Sequence, residues 1–183
     1  MNRIKVLFEG YARKTGDGWV ANSASVLIKS NGKNIIVDPG CEKKNLMDAL
    51  RKEKLSEKDI DYVVLTHHHE DHALLADIFS NAEIITKGNS VPGTDVRLLQ
   101  TPGHSPDHIS VVVPTPEGIY VIAGDVFWWM DDEEQEIDIN KEDPAHIDLE
   151  NYDMEKLVES RKKILEIADY VLPGHGKMFK VEK

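Results

Sequence analysis

Short apolar runs separated by polar turn residues recur along the whole chain, and the period of the pattern separates strands from helices. Residues 4–8, 24–29 and 34–37 alternate or run apolar as strands do, with Asn31-Gly32 as a hairpin turn between the last two. Leu46, Ala49 and Leu50 share a helical face, and Ser56-Glu57-Lys58-Asp59 reads as a capping turn. A strand over 62–65 delivers the chain to His67, after which Ala73, Leu74, Ala76, Ile78 and Phe79 predict a short helix with Asp71 and His72 at its start. Further strands are expected over 83–86, 96–99, 108–113 and 119–123. Leu157, Val158, Ile164, Leu165 and Ala168 mark a helix before a last strand at 170–172. Strands early in each half with helices after them predict an α/β chain of two sheets packed face to face, helices outside. Gly16-Asp17-Gly18 predicts a turn, and neither a phosphate-binding glycine loop nor a Gly-x-Ser-x-Gly elbow is present.

The 183 residues fit one domain, 1–183, with no appended module expected after His175. Glu9 interrupts the start where a signal peptide would continue its apolar core, and no run approaches the ~20 residues of a membrane span. Cys41, the only cysteine, cannot close an intramolecular disulfide, so the expected compartment is the cytoplasm. It reads as a small half-buried packing residue rather than a nucleophile. The net charge of −11 changes the picture, because residues 131–155 hold twelve acidic residues and one lysine, so all of it belongs to that segment. Such a stretch reads as a solvated acidic loop, with a lid over a cleft as the functional alternative.

The chemistry concentrates in His67-His68-His69-Glu70-Asp71-His72, a set of potential metal ligands directly after a strand. Imidazole nitrogens and carboxylate oxygens suit zinc and neighbouring first-row ions, and a tight turn at a strand end can gather residues i, i+2, i+4 and i+5 where a continuous helix would spread them over different faces. Three more candidates close later apolar runs: His104 after Pro102-Gly103, Asp125 after Ala123-Gly124 and His175 after Pro173-Gly174. A glycine before each lets the backbone aim a short side chain into a shared cleft. His108 reads as a hydrogen-bonded structural histidine, with a place in the cleft polarising a substrate as the alternative; of Trp128 and Trp129, one is expected in the core and the other on the wall of a substrate pocket.

With those residues in place, the chain resembles the metallo-β-lactamase superfamily, whose hallmark is His-x-His-x-Asp-His followed by a distant His, Asp and His. The resemblance implies a four-layer αβ/βα sandwich with the metals at one edge. It implies that His67, His69 and His104 hold one divalent ion and Asp71, His72 and His175 a second, with Asp125 bridging them. The ions would be zinc, or else iron or manganese; His68 and Glu70 occupy variable positions and inherit no role. A hydroxide bridging the ions would be the nucleophile, with Asp71 orienting it as the catalytic residue. The expected substrate is a small ester, thioester, lactone or lactam. A phosphodiesterase or ribonuclease acting on RNA is the alternative, disfavoured by twelve carboxylates beside the cleft and to be preferred if the acidic loop points away and Lys87, Arg97 and Lys177 converge on the cleft. Iron-dependent sulfur dioxygenases and flavodiiron proteins are relatives of another class, but the chain keeps His69, which the flavodiiron pattern replaces, and His72 and His175, which the dioxygenases partly lose. A non-catalytic metal-binding role is disfavoured by the complete ligand set. No membrane partner is expected, and a homo-oligomer is compatible with the sequence.

Overall fold

A computed structural model describes residues 1–16, 18–143 and 152–182. Its first sheet is built from β1 (Arg3–Phe8), β4 (Ser25–Ser30), β5 (Lys33–Val37), β6 (Tyr62–Val64) and β7 (Glu83–Ile85), in the order β1-β4-β5-β6-β7. The second uses β8 (Arg97–Gln100), β9 (Ile109–Thr115), β10 (Gly118–Trp128), β11 (Tyr170–His175) and β12 (Phe179–Lys180), in the order β12-β11-β10-β9-β8. A separate hairpin, β2 (Tyr11–Thr15) and β3 (Gly18–Asn22), stands outside both.

Period-two alternation explains how one strand serves two layers. Val26 and Ile28 of β4, with Ile35 and Val37 of β5, face the second sheet and meet Val111, Val113, Ile122 and Leu172. Leu27 and Ile36, one residue out of phase, face the other way onto Leu46 and Leu50 of α1 (Lys43–Lys52). On the far side Val112, Val121 and Val171 receive Leu157 and Ile164 of α3 (Met154–Ile167). Helix, sheet, sheet and helix therefore make the expected αβ/βα sandwich, and burial on both faces is why the strands read as near-continuous apolar runs.

Several boundaries differ from expectation. The helix expected across residues 73–79 is two pieces, α2 (Glu70–Ala73) and a 3-10 turn at Ala76–Ile78, because a stretch so short gains too few helical hydrogen bonds to propagate. Strand β10 does not stop at Ala123 but continues through Asp125 to Trp128, with its register against β11 broken around Gly124. Gly124 has φ +52°, a left-handed conformation that creates the irregularity and turns Asp125 toward the sandwich edge.

Candidate metal centre

All seven expected residues meet at one edge of the sandwich. His67 and His69 lie in the turn after β6, Asp71 and His72 on α2, His104 in the loop after β8, Asp125 in the irregular part of β10, and His175 at the end of β11. Backbone hydrogen bonds lock these segments together: Ile109 N to Thr66 O at 2.9 Å, Gly40 N to His72 O at 3.0 Å and Ala24 N to Gly174 O at 2.7 Å.

They form two groups, each able to hold a metal ion. In the first, His67 Nε2 and His69 Nδ1 are 2.9 Å apart and His104 Nε2 and His69 Nδ1 3.1 Å. Asp125 Oδ2 completes it, 3.8 Å from His67 Nε2 and 3.5 Å from His104 Nε2. In the second, Asp125 Oδ1 stands 3.2 Å from His72 Nε2 and 3.6 Å from His175 Nε2, while Asp71 Oδ2 is 3.8 Å and 3.2 Å from the same two atoms. Donors around a tetrahedral zinc, at ~2.0–2.1 Å from the ion, stand about 3.3–3.4 Å from one another, so both groups have the right size. Each oxygen of Asp125 faces a different group.

The chemistry of the donors agrees with a cation. Three imidazole nitrogens converge in the first group, and a single proton on His69 Nδ1 would satisfy only one of its neighbours. Burial holds His67 and His69 below the usual histidine range, so both present lone pairs. In the second group burial pushes His72 and His175 down, but Asp125, with Asp38 at His72 and Asp71 at His175, outweighs it: His72 rises well above its ordinary value and His175 to about 9. Burial likewise raises Asp125 and Asp71, and the facing histidines more than reverse this, leaving both carboxylates ionised. His72 Nε2 and Asp125 Oδ1 are buried and face each other at 3.2 Å without a well-aligned hydrogen bond between them, an arrangement a cation bound between them would complete.

A second layer of contacts orients the imidazoles, and most of it escaped sequence reasoning. Asp38 Oδ2 accepts from His72 Nδ1 at 2.8 Å and from Thr66 Oγ1 at 2.7 Å, and Thr66 Oγ1 lies 3.0 Å from His67 Nδ1. His175 Nδ1 donates to Tyr11 O at 3.0 Å, and His104 Nδ1 to Asp143 Oδ2 at 2.5 Å. One signal for Asp38 was available: Val37-Asp38-Pro39-Gly40 ends an apolar strand with an aspartate, as Ala123-Gly124-Asp125 does. His108 is the structural residue expected, buried, 3.0 Å from Thr101 Oγ1 and stacked on His67 at 5.1 Å between ring centroids. His68 lies at the surface with 59 % of its side chain exposed, 3.7 Å from Asp107.

The groups open onto a cavity of about 560 Å³. It is lined by His69, Asp71, His104, Asp125 and His175, by Glu70, and by Ala12, Trp19, Ala21, Cys41, Leu74 and Trp128. Trp128 stands edge-on to Trp19 and to His175, at 6.0 Å and 5.7 Å, whereas Trp129 belongs to the core beneath α3. Cys41 is half-buried, and burial followed by the charge of Asp71 pushes its thiol up, away from nucleophilic thiolate. Neither Lys87, Arg97 nor Lys177 lines the cavity.

The described part of the acidic segment, 131–143, does not border this cavity either. It is packed down: Arg13 bonds Asp131, Lys141 Nζ reaches Glu133 at 2.8 Å and Trp128 O at 3.2 Å, and the Arg161 guanidinium donates to Ile139 O at 3.0 Å and Lys141 O at 2.6 Å. Residues 144–151 of that segment, for which a lid is the functional alternative, lie outside the described residues. Among the described residues no helix is long and apolar enough to cross a membrane.

Residues 18–90 match the family model of the metallo-beta-lactamase superfamily. The metallo-beta-lactamase domain-containing protein 1 of Xenopus laevis is 30 % identical over 202 residues, covering 98 % of this chain and 82 % of the relative. Among solved structures, a Thermotoga maritima protein of this fold superposes with a TM-score of 0.73 at 21 % identity, covering 98 % of this chain and 99 % of the other. AidC, a dizinc quorum-quenching lactonase solved with the product N-hexanoyl-L-homoserine, gives 0.59 at 15 % identity over 87 % of this chain and 74 % of its own. The order of the histidine and aspartate residues, the sandwich and a relative matched along 98 % of this chain lead to one conclusion: the chain belongs to the metallo-β-lactamase superfamily.

Proposed function

We propose that the chain is a dinuclear metal-dependent hydrolase of a small, uncharged ester, thioester, lactone or lactam. The observation that carries this reading is Asp125, whose two oxygens face two separate donor groups. His67, His69 and His104 would hold one ion, Asp71, His72 and His175 the other, and Asp125 both. Imidazole and carboxylate donors in groups of this size suit zinc best. Held there, two such ions would supply a water acidic enough to be deprotonated near neutral pH and Lewis acidity for a carbonyl oxygen.

The rest is done by the chain itself. Asp71, kept ionised by His175 and His72 and the least buried carboxylate of the ligand set, accepts a hydrogen bond from the attacking water and sets its direction. Trp128 and Trp19 pack against the apolar part of the substrate and exclude water from that side. The substrate class follows from the lining. Among the described residues the lining includes Glu70 and Asp71 and no lysine or arginine, so a polyanion such as RNA would meet repulsion where a nuclease needs basic side chains. The lactonase activity of AidC, which shares the fold, lends the carbonyl reading further support. Cys41, the sole cysteine, suits a reducing compartment, and we place the protein in the cytoplasm.

The test is a panel of esters, thioesters, lactones, lactams, phosphodiesters and RNA, run on protein of measured metal content. Turnover confined to carbonyl substrates is the expected result; turnover of phosphodiesters or RNA alone would overturn the substrate class.

A further inference from the structure

We propose that Asp143, from the acidic segment, is a positioning residue of the first metal group: it holds His104 in the tautomer and orientation that present Nε2 to the ion. The inference rests on the metal-binding reading above and assigns the acidic segment a part in it.

Asp143 is 1 % exposed, and its Oδ2 lies 2.5 Å from His104 Nδ1. A buried carboxylate is costly unless partnered, and a histidine whose Nδ1–H is committed to a carboxylate has its Nε2 lone pair free for a metal. The two groups are alike in this respect. Asp38 stands behind His72 of the second as Asp143 stands behind His104 of the first, while His67 and His175 have a hydroxyl and a carbonyl behind them. One imidazole in each group is therefore backed by a carboxylate.

The two carboxylates are held differently. Asp38 sits at the end of a central strand, whereas Asp143 is carried by a segment that Arg161 of α3 clamps at Ile139 O and Lys141 O just before it, and its own N–H donates to Tyr152 Oη at 3.2 Å. The same guanidinium donates to Val126 O at 2.8 Å, next to Asp125. Residues 131–143 thus serve the metal centre from behind rather than from the mouth of the cavity. Docking of the segment and metal loading of the first group are coupled through one hydrogen bond.

The experiment titrates zinc into metal-free wild type, Asp143→Ala and Asp143→Asn against a chromogenic chelator, and records the imidazole N–H resonances of histidine-labelled protein. Wild type should bind two ions. Asp143→Ala should bind one of them about 10- to 100-fold more weakly and keep the other, the loss expected when a partner behind a metal-bound histidine is removed. Asp143→Asn keeps the size of the side chain and removes its charge; it should fold as wild type does, lose less affinity than alanine and shift the His104 Nδ1–H resonance upfield. Two ions bound by Asp143→Ala with wild-type affinities, or an unmoved resonance in Asp143→Asn, overturns the role of Asp143 and leaves the metal reading intact. A wild type that binds no zinc overturns both.

Discussion

Gly174→Ala tests the proposed bridging role of Asp125 without replacing any ligand. A Cβ at position 174 would lie 1.9 Å from Asp125 Oδ1, and Cβ atoms do not approach heavy atoms within 3.0 Å, so the carboxylate must retreat by about 1.1 Å. The backbone at 174 is outside the left-handed region, so alanine carries no strain of its own there. Asp125 is 5 % exposed and closely surrounded, which leaves it little room to move and still face both groups. Metal–ligand distances tolerate only about 0.2 Å, so this displacement should weaken binding at least as much as the ~100-fold upper end for losing a mere supporting partner. At a zinc concentration 100 times the wild-type dissociation constant, the stabilisation on binding should then fall from about 2.7 to about 0.4 kcal/mol. Overpacking adds a metal-independent loss of about 1–3 kcal/mol, so the quantity to compare is the change in unfolding free energy with and without zinc in each variant. Gly16→Ala, where nothing lies within 4 Å of the added Cβ, is the control and should keep the full zinc effect. Retention of the wild-type zinc effect by Gly174→Ala would refute the placement of Asp125 between two ions.

Asp125→Ala should abolish hydrolysis while His68→Ala keeps most of it, as kcat/KM on the best carbonyl substrate will show; equal losses in two folded variants would mean the wrong register of the histidine motif. Trp19→Ala should raise KM about tenfold for substrates with an apolar acyl group, the equivalent of ~1.4 kcal/mol of buried apolar surface, and barely change it for acetyl analogues; an equal effect on both would remove Trp19 from the acyl wall. In the metal-free protein, His175 is raised to about 9, so its contribution to stability is complete below the unfolded histidine value near ~6.5 and is lost as pH rises through the folded one. Thermal unfolding in chelator should accordingly show Tm falling across that window, and falling less in His175→Gln; a rising Tm would contradict the ion pairs with Asp71 and Asp125.

What could be read from the sequence was whatever repeats a local rule. The ligands announce themselves because four of them cluster directly after one apolar run and the other three each close a later run after a glycine, and the sandwich strands because both of their faces are buried. The β2–β3 hairpin gave no such signal: Tyr11-Ala12-Arg13-Lys14-Thr15 is largely solvent-exposed and lacks an apolar face, although Ala12, Trp19 and Ala21 of this hairpin line the cavity. β12, with two residues, is too short to carry a period. The end of β10 was misplaced because an Ala-Gly-Asp turn usually closes a strand, whereas here Gly124 only interrupts its pairing. The carboxylates behind the imidazoles were the least legible. Asp38 meets His72 across 34 positions and Asp143 meets His104 across 39, and nothing local separates Asp143 from the eleven other acidic residues around it.

The most direct test of a dinuclear centre is a crystal structure of zinc-loaded protein with anomalous data at the zinc edge. The expected result is two peaks about 3.5–4 Å apart, one beside each oxygen of Asp125, the first ringed by His67, His69 and His104 and the second by Asp71, His72 and His175. A single peak, or two that do not share Asp125, would contradict it.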